Sequence, residues 1–166
     1  MEIINKRRSI RAYKDIQVEK EKIEKLLRAA MQAPSAFNQQ AWEFIVVEDK
    51  ETLKKISEMS PYSKPVENSP LTFIVLGNRD NMKVPECWQQ DLGAATENLL
   101  LEAVELGLGG VWMAIAPIEE RMNYIKDMFN LPENIVPYSV IPVGYPVDKP
   151  NFIDRYDSNK VHHEKW

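Results

Sequence analysis

Pro34-Ser35-Ala36-Phe37-Asn38-Gln39-Gln40-Ala41-Trp42 separates two patterns that no single element could hold. Before it, Ile23, Leu26, Leu27, Ala30 and Met31 recur at helical spacing and stop short of Pro34. After it, Phe44 to Val47 is an unbroken apolar run that reads as a buried strand. Loops between such elements often carry function. Here Ser35 offers a hydroxyl, and Asn38, Gln39 and Gln40 offer amides that both donate and accept, which suits the edge of a heterocycle. Trp42 is also an ordinary core anchor. Further out toward the N-terminus lies Lys6-Arg7-Arg8-Ser9-Ile10-Arg11, a cationic cluster in an otherwise acidic chain. In extended backbone, residues two apart face the same way, so Arg7, Ser9 and Arg11 can converge on one phosphate; a helix would turn Ser9 away. Arginine forks and a hydroxyl are groups that phosphate oxygens favour. By itself the run reads first as a solvated basic turn, and a second motif has to shift that reading.

The chain has 166 residues, 44% of them hydrophobic, enough for one domain with its own core. A net charge of −4 argues against nucleic acid as partner, because binding a phosphate backbone takes a broad basic face. Cys87 is the single cysteine, which excludes an internal disulfide and suits a reducing compartment. No apolar run approaches membrane-spanning length, and no signal-like h-region stands at the start. The expectation is a cytoplasmic protein without a membrane partner.

Helix and strand signals alternate along the rest of the chain. Thr52 to Met59 reads as a short helix and Leu71 to Leu76, between Pro70 and Gly77, as a second buried strand. From Gln89 to Leu106, Leu92, Ala95, Leu99 and Ala103 mark a long central helix. Val111 to Ile115 reads as a third strand, Glu119 to Phe129 as a helix, and Ile135 to Val143 as a fourth strand. Gly107-Leu108-Gly109-Gly110 is not a dinucleotide fingerprint, since it closes a helix and introduces a strand; Gly107 reads as a helix cap, and Gly109 and Gly110 as sites of close backbone approach. After Gly144 the chain is proline-rich and aperiodic, so it should pack on something other than itself, with Phe152, Tyr156 and Trp166 as anchors. His162 and His163 are adjacent and diverge in extended backbone, and Cys87 has no neighbouring base, so neither metal nor nucleophilic chemistry is indicated. Asp91, Glu97, Glu102 and Glu105 read as capping or surface-pairing residues on the long helix.

Taken in this order, Arg-Arg-Ser-x-Arg at Arg7 to Arg11 and Pro-Ser-x-x-Asn-x-Gln-x-Trp at Pro34 to Trp42 resemble the nitroreductase-like flavoproteins. The resemblance implies an α/β (α+β) fold over residues 1–166, with a central mixed, mainly antiparallel sheet flanked by helices. It also implies a C-terminal arm, about residues 145–166, exchanged in a homodimer that holds FMN at its interface. It assigns Arg7 and Ser9, helped by Arg8, to the phosphate, and Arg11 to the N1/O2 edge of the isoalloxazine, where a cation favours the reduced ring. Pro34, Ser35, Asn38 and Gln40 would contact the ring and ribityl chain from the second protomer. Backbone at Trp112, Met113, Ala114 and Ile115 would lie near N5; many relatives carry an acidic residue close to the place of Ala114. Asn151 stands where short relatives often have arginine, so Arg155, with Lys149 behind it, becomes the tail's phosphate ligand.

Longer nitroreductases insert a helical excursion between the second strand and the long helix, whereas here only Asn78 to Trp88 is available. The site should be open, with Tyr62, Lys64, Trp88 and Met113 lining it, the aromatics stacking on a planar acceptor. The implied activity is reduction of bound FMN by NAD(P)H and then of an electron-poor acceptor such as a nitroaromatic, quinone or activated alkene. A dehalogenase or flavin-consuming enzyme on the same fold, a flavin-binding sensor or carrier, and a cofactor-free scaffold are the alternatives.

Overall fold

The computed structural model describes residues 2–148 and 151–166. Its centre is an antiparallel ladder of β1 (Trp42–Val47), β2 (Leu71–Asn78) and β5 (Ile135–Gly144), with two short strands, β3 (Gly109–Gly110) and β4 (Met113–Ala114), both on the far side of β5. Ser9 adds one parallel bridge to Gly110, so the sheet is mixed but mainly antiparallel, as expected. Helices α2 (Lys20–Met31) and α4 (Trp88–Glu105) cover one face; α3 (Lys50–Ser57) and α5 (Glu119–Met128) cover the other.

This layering follows from β2, which is apolar on both sides. Leu71, Phe73 and Val75 pack with α2 and α4, while Ile74 and Leu76 pack with α3 and α5, and a strand buried on both faces reads as a continuous apolar run. Leu92, Ala95, Leu99 and Ala103 of α4 are all fully buried, which accounts for the helix's central position.

Two boundaries differ from the sequence expectation. A short helix, α1 (Glu2–Lys6), precedes the basic cluster, closed by an ion pair between Glu2 and Lys6. The third strand is not continuous from Val111 to Ile115 but breaks into β3 and β4. The gap between β3 and β4 falls opposite Pro142, which has no N–H to return to Val111, and β4 ends at a bulge in β5. Val75 faces Ser139 and Leu76 faces Pro137, leaving Tyr138 as an extra, unpaired residue. The Tyr138 carbonyl then accepts from both Ile115 N and Ala116 N, 3.0 Å each, which turns the chain out of the sheet after β4. Among the described residues no helix is long and apolar enough to cross a membrane.

Candidate functional site

Lys6 and Arg7 close α1, with Arg7 N donating to Ile3 O at 2.9 Å, and from Ser9 onward the basic cluster is extended and held by the glycines. Ile10 N donates to Gly110 O at 2.9 Å, beside the Ser9 bridge. A Cβ on Gly109 would stand 2.5 Å from Ile10 Cγ1, so the bare glycine admits the N-terminal strand, and one on Gly110 would stand 2.9 Å from Pro142 O, so the second glycine lets β3 lie close on β5. The Tyr13 hydroxyl lies 2.6 Å from Ile10 O and 3.1 Å from Pro142 O, tying the strand to β5; burial holds its phenol well above the ordinary tyrosine range. Gly107 is needed for another reason: its φ is +74°, and Leu108 N to Ala103 O with Gly107 N to Val104 O closes α4 in a Schellman motif.

Alternation then sorts the side chains. Arg7 pairs with Glu97 of α4 at 3.0 Å, and Ser9 and Arg11 are exposed. Arg8 lies apart from them. Its guanidinium donates to the carbonyls of Asn5 at 3.1 Å, Arg7 at 2.6 Å and Asn151 at 3.1 Å, and its carbon sits 5.9 Å from the Phe152 ring. The strand geometry therefore groups Arg8 with the start of the C-terminal arm, not with Arg7 and Ser9.

The Pro34 to Gln40 loop carries three non-glycine residues in left-handed backbone, Phe37 (φ 51°), Asn38 (φ 51°) and Gln40 (φ 47°), each costing about 1 kcal/mol or more. Ser35 Oγ accepts from Gln40 N at 3.1 Å, and Gln40 Nε2 donates to Asn38 Oδ1 at 3.1 Å, leaving both amide side chains at the surface. Gln39 turns the other way and is buried. It meets Asp91 in the first turn of α4, which is buried as well: Asp91 accepts from Ala36 N at 2.9 Å and from Gln39 Nε2. Asp91 is thus neither a cap nor a surface partner. Its spacing from Ala95 and Leu99 puts it on the buried stripe of α4, a signal present in the sequence.

A groove of about 390 Å³ runs beside β4, lined among others by Arg11, Tyr62, Trp112, Met113, Ala114 and Arg121. Arg11 also borders a separate cavity with Ser9 and Asp148, so it stands between the groove and the basic strand. Arg121 of α5 donates to Ala114 O at 2.9 Å. Nothing in the sequence pattern singles out Arg121, because only the sheet break brings it to β4. Ile115 is fully buried with α3 and α5, and its N–H is spent on Tyr138, so among the four positions near β4 it presents neither side chain nor free amide.

The proposed substrate residues do not converge within one copy of the chain. Tyr62 lines the groove and is largely exposed; Lys64 is exposed beside it, between lining residues Ser63 and Pro65. Trp88 packs over Gly77 and edge-on to Tyr138 at 5.7 Å, and lines a separate cavity with Met82 and Met122. Trp112 meets the other side of Tyr138 at 5.8 Å. The bulged Tyr138 is therefore a wedge between the groove and the segment before α4, and burial pushes its phenol pKa up, keeping it neutral.

The arm leaves the body exposed. Phe152, Ile153, Tyr156 and Trp166 are all more than half accessible, Trp166 fully so, with His162 stacked on it at 4.1 Å. Arg155 is exposed on this arm; Lys149 lies outside the described residues.

The chain matches the Nitroreductase family over residues 4–89 and 61–145. It is 45% identical to the protein from Methanothermobacter thermautotrophicus called "Putative NADH dehydrogenase/NAD(P)H nitroreductase", across all of this chain and 87% of that one. Among solved structures, "Putative NADH Oxidase" from Clostridium acetobutylicum is 56% identical, with a TM-score of 0.97 over 99% of both chains. "FMN-dependent Nitroreductase" from Clostridium difficile is 32% identical, with a TM-score of 0.92 over 99% of this chain and 98% of that one.

Proposed function

The chain belongs to the nitroreductase family, and from that premise we propose that it carries electrons from NAD(P)H through FMN to a planar, electron-poor acceptor such as a nitroaromatic, a quinone or an activated alkene. As a class it is an NAD(P)H-dependent oxidoreductase. The observation that carries the finer reading is the groove beside β4, where Arg11, Trp112, Met113, Ala114 and Tyr62 meet, with Arg11 shared by a second cavity that Ser9 lines.

This donor set fits a flavin mononucleotide. Arg7 and Ser9 offer a cation and a hydroxyl for a phosphate, and Arg7 exchanges its half-exposed Glu97 partner at small cost, because such surface pairs contribute little. Arg11 sets positive charge at one end of the groove, and Tyr62 and Trp112 wall it with aromatic surface that keeps water from a planar ligand. Bound FMN, held by Arg7, Ser9 and Arg11, would supply two-electron redox chemistry between nicotinamide and acceptor. The chain as a whole, residues 1–166, acts as one FMN-binding domain and works as a homodimer. The exposed arm supports that assembly, since Phe152, Ile153, Tyr156 and Trp166 are costly to leave in water. In the dimer a second copy contributes Pro34, Ser35, Asn38 and Gln40 to the ring, and Arg155 to the phosphate. One open groove serves donor and acceptor in turn, which predicts ping-pong kinetics.

The test is an anaerobic visible-absorbance titration of the FMN-reconstituted protein with NADH and then NADPH. Bleaching of the bound oxidised-flavin spectrum is expected. Bound flavin that neither nucleotide bleaches removes NAD(P)H as the donor and favours a sensor or carrier; failure to retain FMN overturns the cofactor. Truncation at Asn151 should give monomers or lost flavin, and an intact yellow dimer would refute arm exchange.

A further inference from the structure

The Gln39–Asp91 contact joins two segments that otherwise have separate roles. Asp91 is a carboxylate that only accepts, and among the described residues it meets no cationic side chain; its two oxygens take Ala36 N at the start of the Ser35 to Gln40 loop and Gln39 Nε2 near its end. The remaining half of the Gln39 amide reaches the segment that precedes α4. Gln39 Oε1 accepts from Val84 N at 2.9 Å, and Nε2 lies 3.4 Å from Val84 O. Gln39 therefore pairs with the Val84 peptide much as a neighbouring strand would, while its other side is held by Asp91. Its orientation is fixed, because a flipped amide would turn N–H toward Val84 N and oxygen toward a carboxylate. Lys83 Nζ, 3.5 Å from Phe37 O, adds a link at the surface. All of this surrounds the three left-handed residues of the loop, whose strain persists only where neighbours over-determine the backbone.

We infer that Gln39 and Asp91 are positioning residues that make the Ser35–Gln40 loop and the Asn78–Trp88 segment one mechanical unit. Presentation of Asn38 and Gln40 and the position of Trp88, which meets the groove residue Trp112 through Tyr138, are then set together. The inference rests on the flavin reading for its consequence, that affinity for the ring and choice of acceptor change in step, but the coupling itself is a property of the chain.

The experiment uses Asp91→Asn, Gln39→Glu and the double variant. Asp91→Asn sets two NH2 groups face to face, and Gln39→Glu sets two carboxylates face to face. The double variant restores every short bond with the donor reversed. The new amide at position 91 donates to the new carboxylate at position 39, that carboxylate still accepts from Val84 N, and Ala36 N still donates to the side-chain oxygen at position 91. Amide hydrogen exchange is followed without flavin in peptides covering residues 35–41 and 79–88. Both should speed up by about tenfold or more in each single variant and return toward wild type in the double, since each single leaves a buried polar group unsatisfied. A response confined to one segment, or a double no better than the worse single, overturns the clamp. Should a single variant fail to fold, wild type decides the matter: the amides of Ala36 and Val84 should share one opening free energy across a denaturant series, and unequal values refute the coupling. With FMN and riboflavin as probes, the single variants should bind both more weakly by the same factor and shift the kcat/KM ratio between a small and a bulky quinone, with recovery in the double. Unchanged flavin affinity in folded single variants would reduce the pair to a stability device. Failure of wild type to bind FMN would overturn the proposed function and leave the exchange result to stand or fall by itself.

Discussion

The N-terminal strand and the Pro34–Gln40 loop are both short polar segments that meet the same ligand in the proposed function, yet they are held by opposite means. The strand, from Ser9 to Arg11, is fixed through its backbone, by Ile10 N on Gly110 O and by the close approach that Gly109 permits, and Ser9 and Arg11 stay exposed. The loop is fixed through a side chain: buried Gln39 and Asp91 hold a backbone that is left-handed at three positions. A segment held by its backbone keeps the strict alternation of a strand, so each residue's direction follows from its number. A segment held by side chains has no period, and its directions depend on a partner 52 residues away.

The largest break in this comparison should come from Gly110→Val. The added Cβ faces the Pro142 backbone oxygen at 2.9 Å, which cannot swing aside, and Leu100 Cδ2 at 3.1 Å. Urea unfolding should show a loss of about 3 kcal/mol, with displacement of the strand and loss of FMN retention. A variant of wild-type stability would mean that the strand does not depend on β3.

Next in size is the contrast between Arg7 and Arg8. Arg7→Ala should weaken FMN by about 10- to 100-fold, the worth of a charge-assisted bond, and leave riboflavin unaffected. Arg8→Ala should leave the FMN-to-riboflavin ratio unchanged and instead raise the protease sensitivity of the arm, because Arg8 holds Asn151 O and faces Phe152. Equal loss of FMN and riboflavin in Arg7→Ala would take Arg7 out of the phosphate site.

Arg11→Leu should lower the flavin potential by about 30 mV, equivalent to about 1.4 kcal/mol for two electrons. Dye-equilibrated reduction of the wild type and the variant measures it, and an unaltered potential would remove Arg11 from the ring. The smallest effect belongs to the loop's surface. Ser35→Ala deletes the acceptor for Gln40 N and should cost about 1 kcal/mol in the melting transition, well below the damage expected at Asp91. If the two were equal, the buried clamp would not be what holds the loop.

Much of the fold is legible in the sequence because it rests on period. The apolar stripe of α4, the uninterrupted β2 and the helix-ending Gly107 each carry a local signal that burial and capping enforce. The broken third strand is not legible, since its gap depends on Pro142 falling opposite Val111 and its end on Tyr138 being one residue too many on β5, both set by the pairing of distant strands. The same limit explains the site. Alternation finds Arg7, Ser9 and Arg11, and the place of Arg8 on the other side follows from that alternation. Asp91 reads as a surface residue by its charge, although its spacing puts it with Ala95 and Leu99 on the buried stripe. Arg121 and Tyr138 have no signal of their own, and Gln39 reads as a ligand amide like Asn38 and Gln40 although it is buried. Their partners are a carbonyl on β4, a peptide at Val84 and two indole rings, all brought near by folding.

Sequence by itself determined the elements, the family and the two motifs, since backbone propensity, burial period and a short residue pattern are written locally. Tertiary structure alone decided which polar groups face a ligand and which are spent inside, because a donor's role depends on the acceptor that the rest of the chain sets against it.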